Sequence, residues 1–93
     1  PLTASGGVRN GLHGASAIAM GASCGGLAHA ILREASESVE ATVRKLRIIC
    51  REIEVAMMLT GSADIKQLSK VRYAVTGETR DWLEGTEWMQ RNI

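Results

Sequence analysis

Seven of the ten glycines fall between Gly6 and Gly26, and four of them form two pairs, Gly6-Gly7 and Gly25-Gly26, on either side of a small-residue stretch. Glycines are paired where the backbone turns left-handed or where another group comes too close for a side chain. Pro1 to Ser5 is a short extended start that runs into the first pair, the layout of a strand entering a βα turn. From Leu12, the apolar residues Ala15, Ile18 and Ala19 recur on one helical face, and Gly21 ends that helix. Ser23 to Ala28 lacks polar alternation, which predicts a strand covered on both faces, and a second helix follows from about Ala30. The order strand, small-residue turn, helix therefore occurs twice.

Downstream the pattern is helical. Val39, Val43, Leu46, Cys50, Ile53 and Met57 follow one another at spacings of four, three, four, three and four, which predicts one buried face of a long helix. A coiled-coil seam has the same spacing, but this stripe lasts only about three heptads. Ser36 is the candidate N-cap and Gly61 the stop, with Glu37 and Glu40 in the first turns and Glu40 four residues ahead of Arg44. Ser62 is placed to cap a short helix through Leu68, and Val71 to Val75 reads as an extended connector. Thr76-Gly77 opens a last helix from about Thr79, on which Trp82, Leu83, Thr86 and Met89 share a face. No linker divides the chain, so residues 1–93 read as one unit, mostly helical by residue count.

Composition narrows what such a unit does. A chain of 93 residues buries somewhat over ~60% of its unfolded surface, and only Tyr73, Trp82 and Trp88 are aromatic, so the core is modest. Strand edges and a helix face without partners predict a homo-oligomer or an aggregation-prone chain when it is isolated. The net charge of +1 gives no basic face for nucleic acid. No apolar run approaches the ~20 residues of a bilayer span, so no membrane role is expected and the localisation is read as cytoplasmic. Cys24 and Cys50 have no Cys or His at metal-ligand spacing and read as small, reduced core residues. Neither a metal ligand nor a catalytic residue is expected in this segment.

The glycine turns point to an anion. A helix start carries free N–H groups and the positive end of the peptide dipole, and a glycine turn leading into it lets an anion approach the backbone. If the two strands are parallel neighbours, both turns lie at one carboxyl edge and grip one phosphate between them. Many eight-stranded βα barrels hold a phosphate in this way, in the loops after strands 7 and 8. Arg9 adds a guanidinium to the same place. The bland alternative is that the glycines only make tight turns. Rival phosphate motifs are absent: there is no Gly-x-x-x-x-Gly-Lys-Ser/Thr, and no Gly-x-Gly-x-x-Gly follows a strand with an acidic residue at dinucleotide spacing.

"ASGGVRNG", the helix ending "AIAMGAS", "GLA", the helix ending "MMLTGS", and "VTGETRDWLE" resemble the C-terminal part of type 2 isopentenyl-diphosphate isomerase, a flavin-dependent family of isoprenoid synthesis. The resemblance runs over nearly the whole chain. Its first half is shared with 2-hydroxy-acid oxidases, inosine-monophosphate dehydrogenases and glutamate synthases, and "MLTGS" and "TGETRDWL" favour the isomerase.

The resemblance implies an α/β fold: a (β/α)8 TIM barrel of which this chain is about the last quarter, with strand 7 at Leu2 to Ser5 and strand 8 at Ser23 to Ala28. It implies FMN, with NADPH as reductant and Mg2+ on the substrate diphosphate, the Mg2+ ligand lying outside this segment. The reaction implied is the interconversion of isopentenyl and dimethylallyl diphosphates. The segment would be inactive alone, its partners being the remaining barrel and the isoprenoid diphosphate. On matching positions, backbone around Gly6, Gly7 and Arg9 and around Ala28 and His29 would hold the flavin phosphate. Where the family usually has Asp, and often Lys three residues later, this chain has His13 and Ser16, and Ala30 stands where many members have Pro. Two other readings remain, a helical interaction module without cofactor and a part of a related FMN-dependent 2-hydroxy-acid oxidase.

Overall fold

A computed structural model describes residues 1–84. The element order is β1 (Thr3–Ala4), α1 (Gly11–Ala19), β2 (Cys24–Gly25), α2 (His29–Glu37), α3 (Val39–Thr60), α4 (Ile65–Leu68) and α5 (Gly77–Leu83). The expected βα repeat is present. β1 and β2 pair in parallel, with Thr3 opposite Cys24 and Ala4 opposite Gly25. The ladder continues past the strand ends, where Ser23 N–H donates to the Leu2 carbonyl at 2.7 Å and Gly26 N–H to the Ala4 carbonyl at 2.6 Å. The strand expected over Ser23 to Ala28 is thus shorter, because beyond Gly26 the backbone leaves the ladder to form the turn into α2.

Four expectations about caps and faces are corrected. Ser38, not Ser36, caps α3: its hydroxyl accepts the Ala41 N–H at 3.0 Å, while Ser36 donates to the Arg33 carbonyl at 2.7 Å within α2. Glu37 therefore closes α2, where it pairs with Arg33 at 3.6 Å, and Glu40 and Arg44 form no ion pair. Asp64, not Ser62, caps α4, its carboxylate accepting the Gln67 N–H at 2.8 Å. Ser62 is engaged elsewhere. Its N–H reaches the Met57 carbonyl at 2.8 Å while Gly61, at φ 70°, donates to Met58 at 3.2 Å, and the pair of bonds closes α3.

The fourth correction concerns α3. Its buried positions are Ala41 and Ile49, with Ile53, Ala56 and Met57 half-buried against a cluster of Ala15, Ile18 and Leu68. Val39, Val43, Leu46 and Cys50, the first four residues of the predicted stripe, are exposed. The reason is that α3 is apolar around more than one face. Small residues decide which face meets α1, since a side chain on Gly11 would overlap the Ile49 carbonyl and the Glu52 Cβ. The two faces merge at Ile53 and Met57, so part of the predicted stripe is in the core and part is not.

The remaining sheet surface is open. Cys24 and Gly25 are both exposed, so β2 is not covered on both faces. Cys24 and Cys50, expected as core thiols, are free and exposed, and the Cys24 Sγ lies 3.3 Å from the Thr3 hydroxyl across the strand pair. The Cα radius of gyration is 14.9 Å, against about 12 Å for a compact domain of this length. Among the described residues, no helix is long and apolar enough to cross a membrane. Thr86 and Met89, assigned to a face with Trp82 and Leu83, lie outside the described residues.

Candidate anion-binding site

Because β1 and β2 are parallel and in register, the turns that follow them emerge at the same edge. They enclose a pocket of about 580 Å3 lined by residues 5–9 and 26–30. All five residues singled out in the sequence, Gly6, Gly7, Arg9, Ala28 and His29, line it. Among the described residues no carboxylate does, while Arg9 is exposed at its rim. The volume lies within the range of ordinary small-molecule sites.

The two glycine pairs have different jobs. Gly6 (φ 78°) and Gly7 (φ 135°) hold left-handed backbone, and a Cβ built on either meets nothing within 4 Å. What excludes a side chain there is the conformation, and the space beside it is the pocket. Gly26 is restricted by the chain itself, since a Cβ would come within 3.2 Å of the Ser5 Cβ.

The two helix starts also differ. At α1 three of the first four donors are taken: Gly11 N–H is satisfied by Glu52 Oε1 at 3.3 Å, His13 N–H by Asn10 Oδ1 at 2.8 Å, and Gly14 N–H by the Asn10 carbonyl at 3.2 Å. Glu52 belongs to α3, so a carboxylate arrives at this helix start although none is present in its own first turn. At α2 the N-cap is Ala28, which offers no side-chain acceptor, and no acidic residue occupies the first turn. The first α2 bond runs from Ile31 N–H to the Ala28 carbonyl at 3.3 Å, leaving the amides of Ala28, His29 and Ala30 without an acceptor among the described residues. Those of Gly6, Gly7 and Val8 likewise have none among the described residues.

Two sets of unsatisfied donors, one guanidinium and no carboxylate suit an anion with several oxygens. A phosphate monoester meets the chemistry of this donor set, with Gly6 and Gly7 leaving room for close approach to backbone. Sequence reading placed these turns but missed Asn10 and His13 as a local cap, although an Asn directly ahead of a helix is a recognisable signal. Glu52 had no local signal.

The family model described as FMN-dependent dehydrogenase matches residues 1–74. An isopentenyl-diphosphate delta-isomerase of Thermoplasma volcanium is 44% identical over 84 residues, 90% of this chain and 24% of that protein. Proteins of the same name from Halobacterium salinarum, at 43% identity over 89% of this chain, and Methanopyrus kandleri, at 39% over 89%, are also similar, each covered over 23% of its length. The chain thus spans about a quarter of the relatives it matches. With the family model covering most of its length, this chain belongs to the FMN-dependent dehydrogenase family.

Proposed function

We propose that this segment is the flavin-phosphate grip of a full-length isopentenyl-diphosphate isomerase built on a TIM barrel. The observation that carries the proposal is the uncapped start of α2 facing the left-handed Gly6-Gly7 turn across one pocket, with Arg9 beside it. The parallel β1-α1-β2 unit is what two successive strands of such a barrel require. Backbone amides of Gly6, Gly7, Ala28 and His29 would bind the phosphate, and Arg9 would balance its charge.

When bound, reduced FMN would supply the proton transfer for an allylic 1,3 shift between the two diphosphates, with no net redox change. This segment's part is to fix the ring through its phosphate tail, so that orientation is settled before substrate arrives. Among the described residues no three His, Cys, Asp or Glu side chains gather as a metal site. On this reading a Mg2+ ion on the substrate diphosphate would take its protein ligand from the rest of the barrel, which would also bind the substrate and NADPH. The exposed Val43, Leu46 and Cys50 on α3 and the open face of β2 are the surfaces on which that remainder would pack.

The breadth of the family model favours one competing reading, an oxidase of 2-hydroxy acids. Full-length protein carrying this segment, expressed and desalted, is expected to remain yellow and to convert isopentenyl diphosphate to dimethylallyl diphosphate once its flavin is reduced. Formation of a 2-oxo acid from a 2-hydroxy acid, with no turnover of the diphosphate, would replace the isomerase by the oxidase. Colourless protein that takes up no added FMN would remove both, and leave the helical interaction module.

A further inference from the structure

The glycine turn is tied to α1 by a residue that the pocket itself does not include. His13 sits in the first turn of α1, and its Nδ1 accepts the Arg9 N–H at 3.2 Å. In return, the Asn10 side chain accepts the His13 N–H at 2.8 Å. The arrangement is reciprocal, as in a capping box, except that an imidazole replaces the usual Glu or Gln and reaches the residue ahead of the N-cap. An Nδ1 that accepts a hydrogen bond carries no proton, so this latch holds the backbone without placing a negative charge near the pocket. Arg9 is the last residue of the pocket's first lining segment. Holding its amide against α1 turns that donor away from the pocket and fixes the direction in which the guanidinium leaves the chain.

We propose that His13 is a positioning residue for the phosphate grip, acting through the Arg9 backbone. This rests on the flavin-phosphate reading given above. His13 is exposed and packs into no core cluster, so its removal tests the latch more than the fold. An Asn side chain places its Oδ1 near the position of the imidazole Nδ1 and restores the acceptor. A Gln places its oxygen nearer Nε2 and does not.

The test is fluorescence titration of full-length apoprotein carrying this segment with FMN and with riboflavin, for wild type, His13→Ala, His13→Asn and His13→Gln. Exchange of the Arg9 amide is followed alongside by mass spectrometry of the peptide spanning residues 6–10. Wild type is expected to prefer FMN. His13→Ala and His13→Gln should weaken FMN roughly fivefold, the worth of about one net hydrogen bond, with riboflavin unchanged and Arg9 exchange faster. His13→Asn should restore both measurements. Unchanged FMN affinity in His13→Ala, equal losses for FMN and riboflavin, or no rescue by Asn would each overturn the positioning role while leaving the grip in place. Equal affinity of wild type for FMN and riboflavin would instead overturn the grip, and the positioning role with it.

Discussion

The Gly11 amide and the Glu52 carboxylate meet at 3.3 Å, so the third helix caps the first across 41 residues of sequence. The contact exists because Gly11 has no side chain: a Cβ there would overlap the Ile49 carbonyl and the Glu52 Cβ. This approach seats α1 on α3, and α1 in turn anchors the glycine turn. Packing of the outer helices and geometry of the pocket are therefore joined through one residue.

Gly11→Ala should accordingly destabilise the full-length protein. Overpacking against backbone costs about 1–3 kcal/mol, and the opposing gain from replacing a helical glycine is at most about 1 kcal/mol. The urea midpoint should fall. A midpoint that rises would mean the two helices separate freely, and the close seat would not be needed.

A second prediction follows from the face of α3 that is buried. Ile49 is 5% exposed and Leu46 39%. Ile49→Ala should cost about 2–5 kcal/mol, the range for a core aliphatic residue. Leu46→Ala acts on a face that only the remaining barrel would cover, so its cost should be found in the full-length protein. Equal and negligible costs for both, by denaturant unfolding of the full-length protein, would contradict the packing described.

How much of this was legible in the sequence depends on the range of the interaction. Glycine turns, parallel βα units and helix stops are set by backbone conformation within a few residues, so Gly6-Gly7 and Gly61 could be read locally. Choices between neighbouring caps were missed where two candidates lay close together, as with Ser36 and Ser38 or Ser62 and Asp64. Each was decided by where the preceding helix spends its last donors and acceptors. The buried face of α3 was not legible, because Val43, Leu46, Ile49 and Ile53 make the helix apolar on adjoining faces. Contacts distant in sequence, among them the fit of Gly11 against Ile49, select between them. Five of the ten residues that line the pocket were legible, while the latch of His13 and the cap from Glu52 were not.

The isolated 93-residue chain should associate. Leu12 (61%), Val39 (75%), Leu59 (81%) and Trp82 (80%) are large apolar residues left exposed, and a two-stranded sheet presents both outer edges. Sedimentation should give species well above the 10.0 kDa monomer. A compact monomer that melts cooperatively would show that these surfaces need no cover.

The final prediction separates the proposed phosphate grip from the fold that carries it. Ala28 is the uncapped N-cap of α2, and a carboxylate near a helix start favours the helix. Ala28→Glu should therefore leave the thermal midpoint of the full-length protein unchanged or slightly raised. The same carboxylate would stand beside the bound phosphate. At ~5 Å and an effective dielectric of ~20, each pair of unit charges costs about 3 kcal/mol, so FMN affinity should fall by at least ~100-fold. Gly7→Ala has the opposite character, since φ 135° strains any residue with a Cβ. It should weaken FMN more modestly and lower the midpoint as well. Riboflavin, which lacks the phosphate, is the control for both, and Ala28→Glu should affect it far less than FMN. Equal losses of FMN and riboflavin in Ala28→Glu would mean that the turn supports the ring or the fold, and the phosphate would have to be held elsewhere.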